Sequence, residues 1–396
     1  MSRPSSDDDA ASAPETADLG ARLRERILRE GAITFREWMC AALYDERGGY
    51  YRRGVERWGR AGDYRTGPER SALFAATFAR HFAALSDELG RPRRLQLLEA
   101  GGGAGHFAHG VLKTLRRDAP RVFDSLRYVF DEASADSRAR AAALLAPFAA
   151  RVEFRRLADF AGREDPSEGE DFAERGDFAE PLENAVVFSN ELLDAFPVHR
   201  VSMRGGRLRE LFVGLGAGGE FVWVEREPST PRLAEHFGRA GLTLDEGQTA
   251  EVNLDAEEWV GRVARKVGRG FVITVDYGDE AANLLSAPHR RAGTLRAFRG
   301  HEFVEDVLLS PGEQDLTTTV NWTQFVAAGE GAGLQTVALE RLDSFLLRAG
   351  LVEQLERECA LAVTEAEVAR LRLDAREMIL PGGMASHFQV LVQKKV

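Results

Sequence analysis

The sequence predicts an α/β fold of the doubly wound kind, a mostly parallel sheet with helices on both faces, on three observations. A strand, a glycine-rich turn and a helix follow one another across Leu95–Gly110. Short apolar runs at Leu126–Phe130, Ala185–Ser189 and Phe271–Val275 each end in polar or acidic residues, as strands buried on both faces do. Apolar residues at helical spacing recur between these runs.

Leu19–Glu30 reads as a helix with Leu23, Ile27 and Leu28 on one side. Ile33, Phe35, Trp38, Met39, Leu43 and Tyr44 continue the helical pattern, with Thr34 as N-cap and Glu37 completing a capping box. Two loops follow, Gly48-Gly49-Tyr50-Tyr51 and Gly62-Asp63-Tyr64-Arg65-Thr66-Gly67-Pro68-Glu69. The second has no packing rationale, and such loops often touch ligands. Pro68 suits a helix start, and Phe74, Phe78, Phe82, Leu85 and Leu89 step along a buried stripe until Gly90 and Pro92 stop it.

In the central unit, Leu95, Leu97 and Leu98 form the strand and Glu99 ends it. Gly101, Gly102, Gly103 and Gly105 crowd the turn, where a side chain would hold a ligand away from the backbone. Two cofactor classes fit these letters. Gly101, Gly103 and Gly105 make a G-x-G-x-G loop with an acid two residues before it, as in S-adenosylmethionine (SAM) enzymes. From Gly103 the letters also satisfy the dinucleotide pattern ending in Ala108. The strand Leu126–Phe130 runs into Asp131 and Glu132, and an acid there accepts hydrogen bonds from ribose hydroxyls. The spacing from Gly103 to Glu132 exceeds the ~20 residues of the dinucleotide fingerprint. SAM also carries no phosphates, which suits a turn without basic residues.

Beyond this unit the sequence predicts a helix at Ser134–Leu145 and strands at Val152–Phe154 and Ala185–Ser189. The latter ends in Asn190-Glu191-Leu192-Leu193-Asp194-Ala195-Phe196-Pro197, which places Asn190 and Glu191 on the edge where strand ends meet and ligands bind. Val198–Glu225 alternates like paired strands around Gly205-Gly206 and Gly216–Gly219. A helix near Ala256–Val267 leads to Phe271–Val275, and Gln335–Leu339 and His387–Lys394 read as closing strands.

A chain of 396 residues exceeds one ordinary domain. The expected division is a disordered tail over 1–18, a helical cap over 19–92 and an α/β domain over 93–396, with insertions at about 158–184, 198–255 and 279–330. The net charge of −11 weighs against nonspecific nucleic-acid binding. Asp159–Glu183 holds ten acids against two arginines, a net of −8, so the acidity is mostly that of one surface stretch. No run of about 18 apolar residues suggests membrane insertion. The absence of a signal pattern and two widely spaced cysteines, Cys40 and Cys359, predict a cytoplasmic chain with free thiols and no metal site.

Taken in order, eight segments resemble the MidA-type family of SAM-dependent methyltransferases, which includes a mitochondrial complex I assembly factor that methylates a protein arginine. They are Gly49-Tyr50-Tyr51, Gly62–Ser71, Glu99–Gly105, Asn190–Pro197, Asp276-Tyr277-Gly278, Gly293–Phe298, Asp315-Leu316-Thr317 and Phe388-Gln389-Val390-Leu391. The resemblance covers about residues 31–394, and Asn-Glu-x-x-Asp-Ala-x-Pro is its most specific part. Two segments depart from the family pattern. Gly102 and Ala104 stand where the family usually has proline and arginine, and Gly67-Pro68-Glu69-Arg70-Ser71 replaces Ser/Ala-Pro-Glu-Ile-Ser.

The resemblance implies a class I (Rossmann-like) methyltransferase fold with a mostly parallel seven-stranded sheet, an N-terminal helical cap and inserted segments. It implies SAM as cofactor and an arginine of an unidentified partner protein as acceptor. The cofactor is expected on Gly101, Gly103 and Gly105, with Glu99 toward its ammonium, Glu132 on its ribose, Asp131 in reserve and Asn190 alongside. Glu191 and Asp194 are expected to orient a guanidinium through charge-assisted hydrogen bonds, although their spacing also fits a helix cap and first-turn acid pair. Asp63, Tyr50 and Asp276 are further candidates, whereas His106 and His109 read as structural. An NAD-dependent oxidoreductase and a catalytically silent SAM-binding assembly chaperone are the competing readings.

Overall fold

The computed structural model describes residues 18–52, 71–155, 182–300, 302–380 and 382–396. The expectations for the tail up to residue 17, for Asp63 and Pro68 with their loop, and for the acidic stretch through residue 181 lie outside these residues.

Seven strands build the central sheet: Leu95–Ala100 (β1), Leu126–Asp131 (β2), Val152–Phe154 (β3), Leu182–Asn190 (β4), Val267–Asp276 (β5), Gln335–Arg341 (β6) and Gln389–Lys395 (β7). Their order is β6-β7-β5-β4-β1-β2-β3, and only β7 runs against the rest. The order reverses between β1 and β4, where Ala100 pairs with Ser189, so a crevice opens beyond these strand ends.

Period-two alternation sends neighbouring residues into two cores. Leu97, Tyr128, Val186 and Ile273 face one, and Leu98, Val129, Val187 and Val272 face the other. The first is closed by helices Ala72–Glu88, His106–Asp118 and Leu342–Arg348, with Phe107 stacked on Phe188 at 4.3 Å between centroids. The second is closed by Leu254–Lys266 and Trp322–Gly331, which meet through Trp259 and Phe325. Burying each such aromatic contributes roughly 1.5–3 kcal/mol, which explains why both faces of the sheet must be covered.

A second, antiparallel sheet is formed by Ile33–Thr34, His199–Arg204, Arg207–Leu215, Phe221–Arg226 and Thr249–Val252. Gly205 and Gly206 make its two-residue turn with φ of 57° and 72°, as a type I′ hairpin requires. Helices Leu19–Glu30 and Phe35–Tyr44 share a core with this sheet, and the Thr34–Glu37 capping box is formed. Arg36 pairs with Asp255 through two hydrogen bonds of 2.7 and 3.0 Å, tying this unit to the main body.

Two expectations are corrected here. The helical cap over 19–92 is not one unit, because Ala72–Glu88 belongs to the central core while Leu19–Tyr44 packs on the second sheet. The excursion over 279–330 ends earlier, because Trp322–Gly331 is a covering helix of the central sheet. Periodicity identifies the apolar face of a helix but not the surface that receives it. The excursion itself contains a small sheet of Arg296–Arg299, Glu302–Val304 and Asp315–Thr317. Among the described residues no helix is long and apolar enough to cross a membrane.

Candidate active site

The turn after β1 is a cradle of bare backbone. Gly101, Gly103 and Gly105 take φ of 71°, 56° and 83°, a region that favours glycine. Gly102 has a different reason: a Cβ there would meet the buried Phe130 ring at 2.3 Å. The space that a proline ring would need at this position is therefore filled by an aromatic from β2.

Glu132 stands at the lip of the cradle, just past β2. Its Oε2 accepts from Gly103 N at 2.8 Å and its Oε1 from Ser134 N at 2.7 Å. Burial pushes this carboxyl up, while those two amides and the Arg138 and Arg52 guanidiniums pull it down. Both arginines also donate to the Ala133 carbonyl, so Arg52, next to Tyr51, is tied to the same lip. A carboxylate oxygen has two lone pairs, so each oxygen keeps capacity for one of a pair of vicinal hydroxyls. The cradle and Glu132 therefore fit the ribose of a nucleoside cofactor such as SAM.

Glu99 lies beneath the loop, 4 % exposed, and accepts from the Tyr128 hydroxyl at 2.7 Å. Burial and the nearby Glu132 push its carboxyl up to about 8, against the pull of Tyr128. The folded protein thus holds this proton to a higher pH than the unfolded chain does, and stability falls as pH rises from the usual carboxylate range through 8. Glu99→Gln, which cannot ionise, is expected to raise the thermal midpoint by about 4 °C at pH 8.5 and to leave it nearly unchanged at pH 4. A pH-independent difference between the two proteins would contradict the buried, protonated Glu99.

The other side of the crevice begins where β4 ends. Asn190 donates from Nδ2 to Glu191 Oε1 at 3.0 Å and so positions that carboxylate. Glu191 takes φ of 50°, a strained conformation for a non-glycine residue of the kind that gathers at functional turns. Asp276, at the end of β5 and fully buried, binds the turn with both oxygens: Oδ2 accepts from Leu193 N at 2.9 Å and Oδ1 from Tyr277 N at 2.9 Å. Burial and the neighbouring Asp194 and Glu191 push the Asp276 carboxyl far up.

This support leaves Asp194 facing the crevice. It is 6 % exposed, its Oδ2 accepts from the Tyr277 hydroxyl, and its Oδ1 is buried without a hydrogen-bond partner among the described residues. Burial pushes it up to about 6, opposed by Tyr277 and Arg296. Arg296 lies over the Tyr277 ring at 5.1 Å. In the same cavity the Tyr51 hydroxyl donates to buried Asp315 at 2.7 Å. Glu191, Asp194, Tyr277, Arg296, Asp315 and Tyr51 thus line one cavity of about 440 Å³.

The structure brings Glu191 and Asp194 together at this cavity, and places Glu99, the glycines and Glu132 at the neighbouring cradle. It corrects two further candidates. Tyr50 is buried in the N-terminal core, and Tyr51 takes the place in the cleft. Asp276 braces the turn from within rather than lining the cavity. Asp63 lies outside the described residues. His109 packs edge-on against Phe148, and burial lowers both His106 and His109, in keeping with structural histidines. Sequence reasoning assigned no role to Tyr51, Tyr277, Arg296 or Asp315, although each falls in a segment that carries the family resemblance.

Known proteins resemble this chain along most of its length. A protein arginine methyltransferase NDUFAF7 homolog from Drosophila melanogaster, a mitochondrial protein, is 27 % identical over 344 residues, covering 81 % of this chain and 72 % of its own. The Mus musculus protein arginine methyltransferase NDUFAF7 is 27 % identical over 350 residues, covering 84 % and 75 %. A crystal structure of a COG1565 superfamily member from Burkholderia thailandensis, bound to S-adenosyl-homocysteine, superposes with a TM-score of 0.81 at 28 % identity, over 97 % of this chain and 94 % of that one. A family model for S-adenosyl-L-methionine-dependent methyltransferases matches residues 77–339. The dinucleotide alternative falls with these findings, and the cofactor is SAM. The chain belongs to this MidA-type family and is a SAM-dependent methyltransferase.

Proposed function

We propose that the protein methylates an arginine side chain of a partner protein. The observation that carries this reading is the cavity beside the cofactor cradle, lined by the carboxylates of Glu191, Asp194 and Asp315. The arginine methyltransferase names of the relatives, at 27 % identity, point the same way.

SAM supplies an electrophilic methyl group. The protein's task is to hold a nucleophile in line with it, because orientation removes much of the barrier. A guanidinium, with a pKa above about 12, is a poor nucleophile until its charge is localised away from the attacking nitrogen. Glu191 and Asp194 do this by accepting N–H hydrogen bonds from the other nitrogens. Tyr277 fixes Asp194 through Oδ2, which leaves Oδ1 for the acceptor. The nitrogen–methyl bond would form as SAM's sulfur–methyl bond breaks to leave S-adenosyl-homocysteine, and the methylated guanidinium would shed its extra proton through the N–H bonded to Asp194, which, held near 6, takes that proton and passes it to solvent.

The test uses host-cell lysate, purified protein and SAM labelled in its methyl group, followed by hydrolysis of the labelled protein fraction. Labelled methylarginine is the expected product. Label on lysine, on a small molecule or on RNA would keep the methyltransferase and overturn the arginine assignment. Absence of label despite tight SAM binding would favour a catalytically silent assembly chaperone.

A further inference from the structure

A second cavity, of about 220 Å³, lies beside the carboxylate cleft and shares two wall residues with it, Arg290 and Thr319. Most of its other walls come from the helices Arg232–Ala240, Ala281–Ser286 and Trp322–Gly331 and the strand Thr249–Val252, with Leu242, Glu257 and Thr294 beside them. We propose that it receives an apolar side chain of the acceptor polypeptide, a few residues from the arginine whose guanidinium occupies the cleft. This inference rests on the protein-arginine reading for what the main cleft holds.

The chemistry of the walls identifies the occupant. Phe237, Leu242, Ala250, Leu284, Leu285 and Ala328 give the cavity its apolar surface. The charged groups around it are committed to one another. Glu257 accepts from the Gln324 amide and lies 3.7 Å from His236 and 3.6 Å from Arg239. Glu251 is taken by Arg200 at 3.3 Å and by Thr294 N at 2.6 Å. Arg290, at the shared wall, is paired with Asp279 at 2.8 Å. An ion entering here would be desolvated without gaining an uncommitted partner, whereas an apolar group sheds water at no such cost. The volume is below the range of about 300–1,000 Å³ usual for whole-ligand pockets, and it suits a single side chain.

The shared wall identifies the source of that side chain. Arg290 stands in the short turn Pro288–Arg290 and Thr319 just before the helix Trp322–Gly331, and each presents one side to the cleft and another to the apolar cavity. One extended chain can therefore fill both, because three residues span roughly 10 Å. A free metabolite would have to carry both a cationic head and an apolar branch to do the same.

The experiment uses the full chain, labelled SAM and nine-residue peptides with a central arginine in a glycine/serine background, through which one leucine is walked. One leucine position within about three residues of the arginine is expected to lower KM about ten-fold, the scale of burying one such side chain. Ala327→Phe, on the exposed face of the helix at the cavity mouth, is expected to erase that gain while leaving SAM affinity and the rate on the all-serine peptide unchanged. Ala327→Leu serves if the phenylalanine variant misfolds. Absence of any positional preference, or a preference that survives the filled cavity, overturns the proposal.

A second measurement separates this from the arginine reading. N-acetyl-leucinamide is titrated into methyl-labelled protein and followed by NMR. Saturable shifts of the Leu284 and Leu285 methyls that vanish in the Ala327 variant support the cavity, even if no arginine peptide is methylated. In that case the arginine assignment alone falls. Lack of shifts at these residues overturns the cavity whatever the peptides do.

Discussion

Alanine in place of Glu132 is expected to weaken SAM binding by roughly 2–4 kcal/mol, the scale of losing charge-assisted hydrogen bonds in a partly closed site. The carboxylate does two things that alanine cannot do. It offers each ribose hydroxyl an acceptor, and it fixes the glycine loop through Gly103 N and the next helix through Ser134 N. Glu132→Gln keeps the length but replaces one acceptor oxygen with a donor, so it should lose affinity without regaining the full geometry. Calorimetric titration with SAM and with S-adenosyl-homocysteine measures the effect, and both ligands should weaken alike because they share the ribose. A folded variant with unchanged affinity would remove Glu132 from the cofactor site.

The strand–glycine turn–helix unit was legible because its determinants are local. Leu97 and Leu98 mark a strand buried on both faces, the glycines follow within seven residues, and Glu132 comes just after the next strand. The Thr34–Glu37 capping box was legible for the same reason, since both partners lie within one helical turn. Strand β5 begins earlier than its apolar run because Gly268 and Gly270 hide it. A Cβ at Gly270 would meet Ala185 O at 2.0 Å, so pairing with β4 sets that start.

The carboxylate cleft was less legible, because it is assembled from distant segments. Tyr50 and Tyr51 are adjacent and chemically identical, yet one points into the N-terminal core and the other into the cleft. Which one does so depends on Asp315, 264 positions away, whose carboxylate accepts the Tyr51 hydroxyl. Asp276 and Tyr277 show the same ambiguity: the aspartate bends inward to the turn, and the tyrosine beside it reaches Asp194. Local pattern carries no information on such choices. They are made by long-range contacts: the Tyr51 hydroxyl on Asp315, the Arg296 guanidinium over the Tyr277 ring, and Thr318 N on the Asp194 carbonyl.

Asp194→Asn should leave SAM binding nearly intact and reduce kcat by about 10²–10³, the loss typical of removing one orienting or proton-accepting group from the transition state. The asparagine can still accept a hydrogen bond from Tyr277, so the fold of the turn is preserved, but it can neither take a proton nor pair with a cation. The pH profile gives the sharper test. Asp194 is held near 6, so the competent carboxylate form gains population as pH rises through that value. The parent rate should climb over this interval and then level, whereas the residual rate of Asp194→Asn should lack that limb. Tyr277→Phe removes the donor that helps keep the carboxylate ionised, and so should move the limb to higher pH while affecting the plateau less. Glu191→Gln leaves Asp194 as the proton acceptor, so it should lower the rate while retaining the limb near 6. An Asp194→Asn protein with full activity would end the case for a carboxylate at this position, and an unmoved limb in Tyr277→Phe would separate that tyrosine from it.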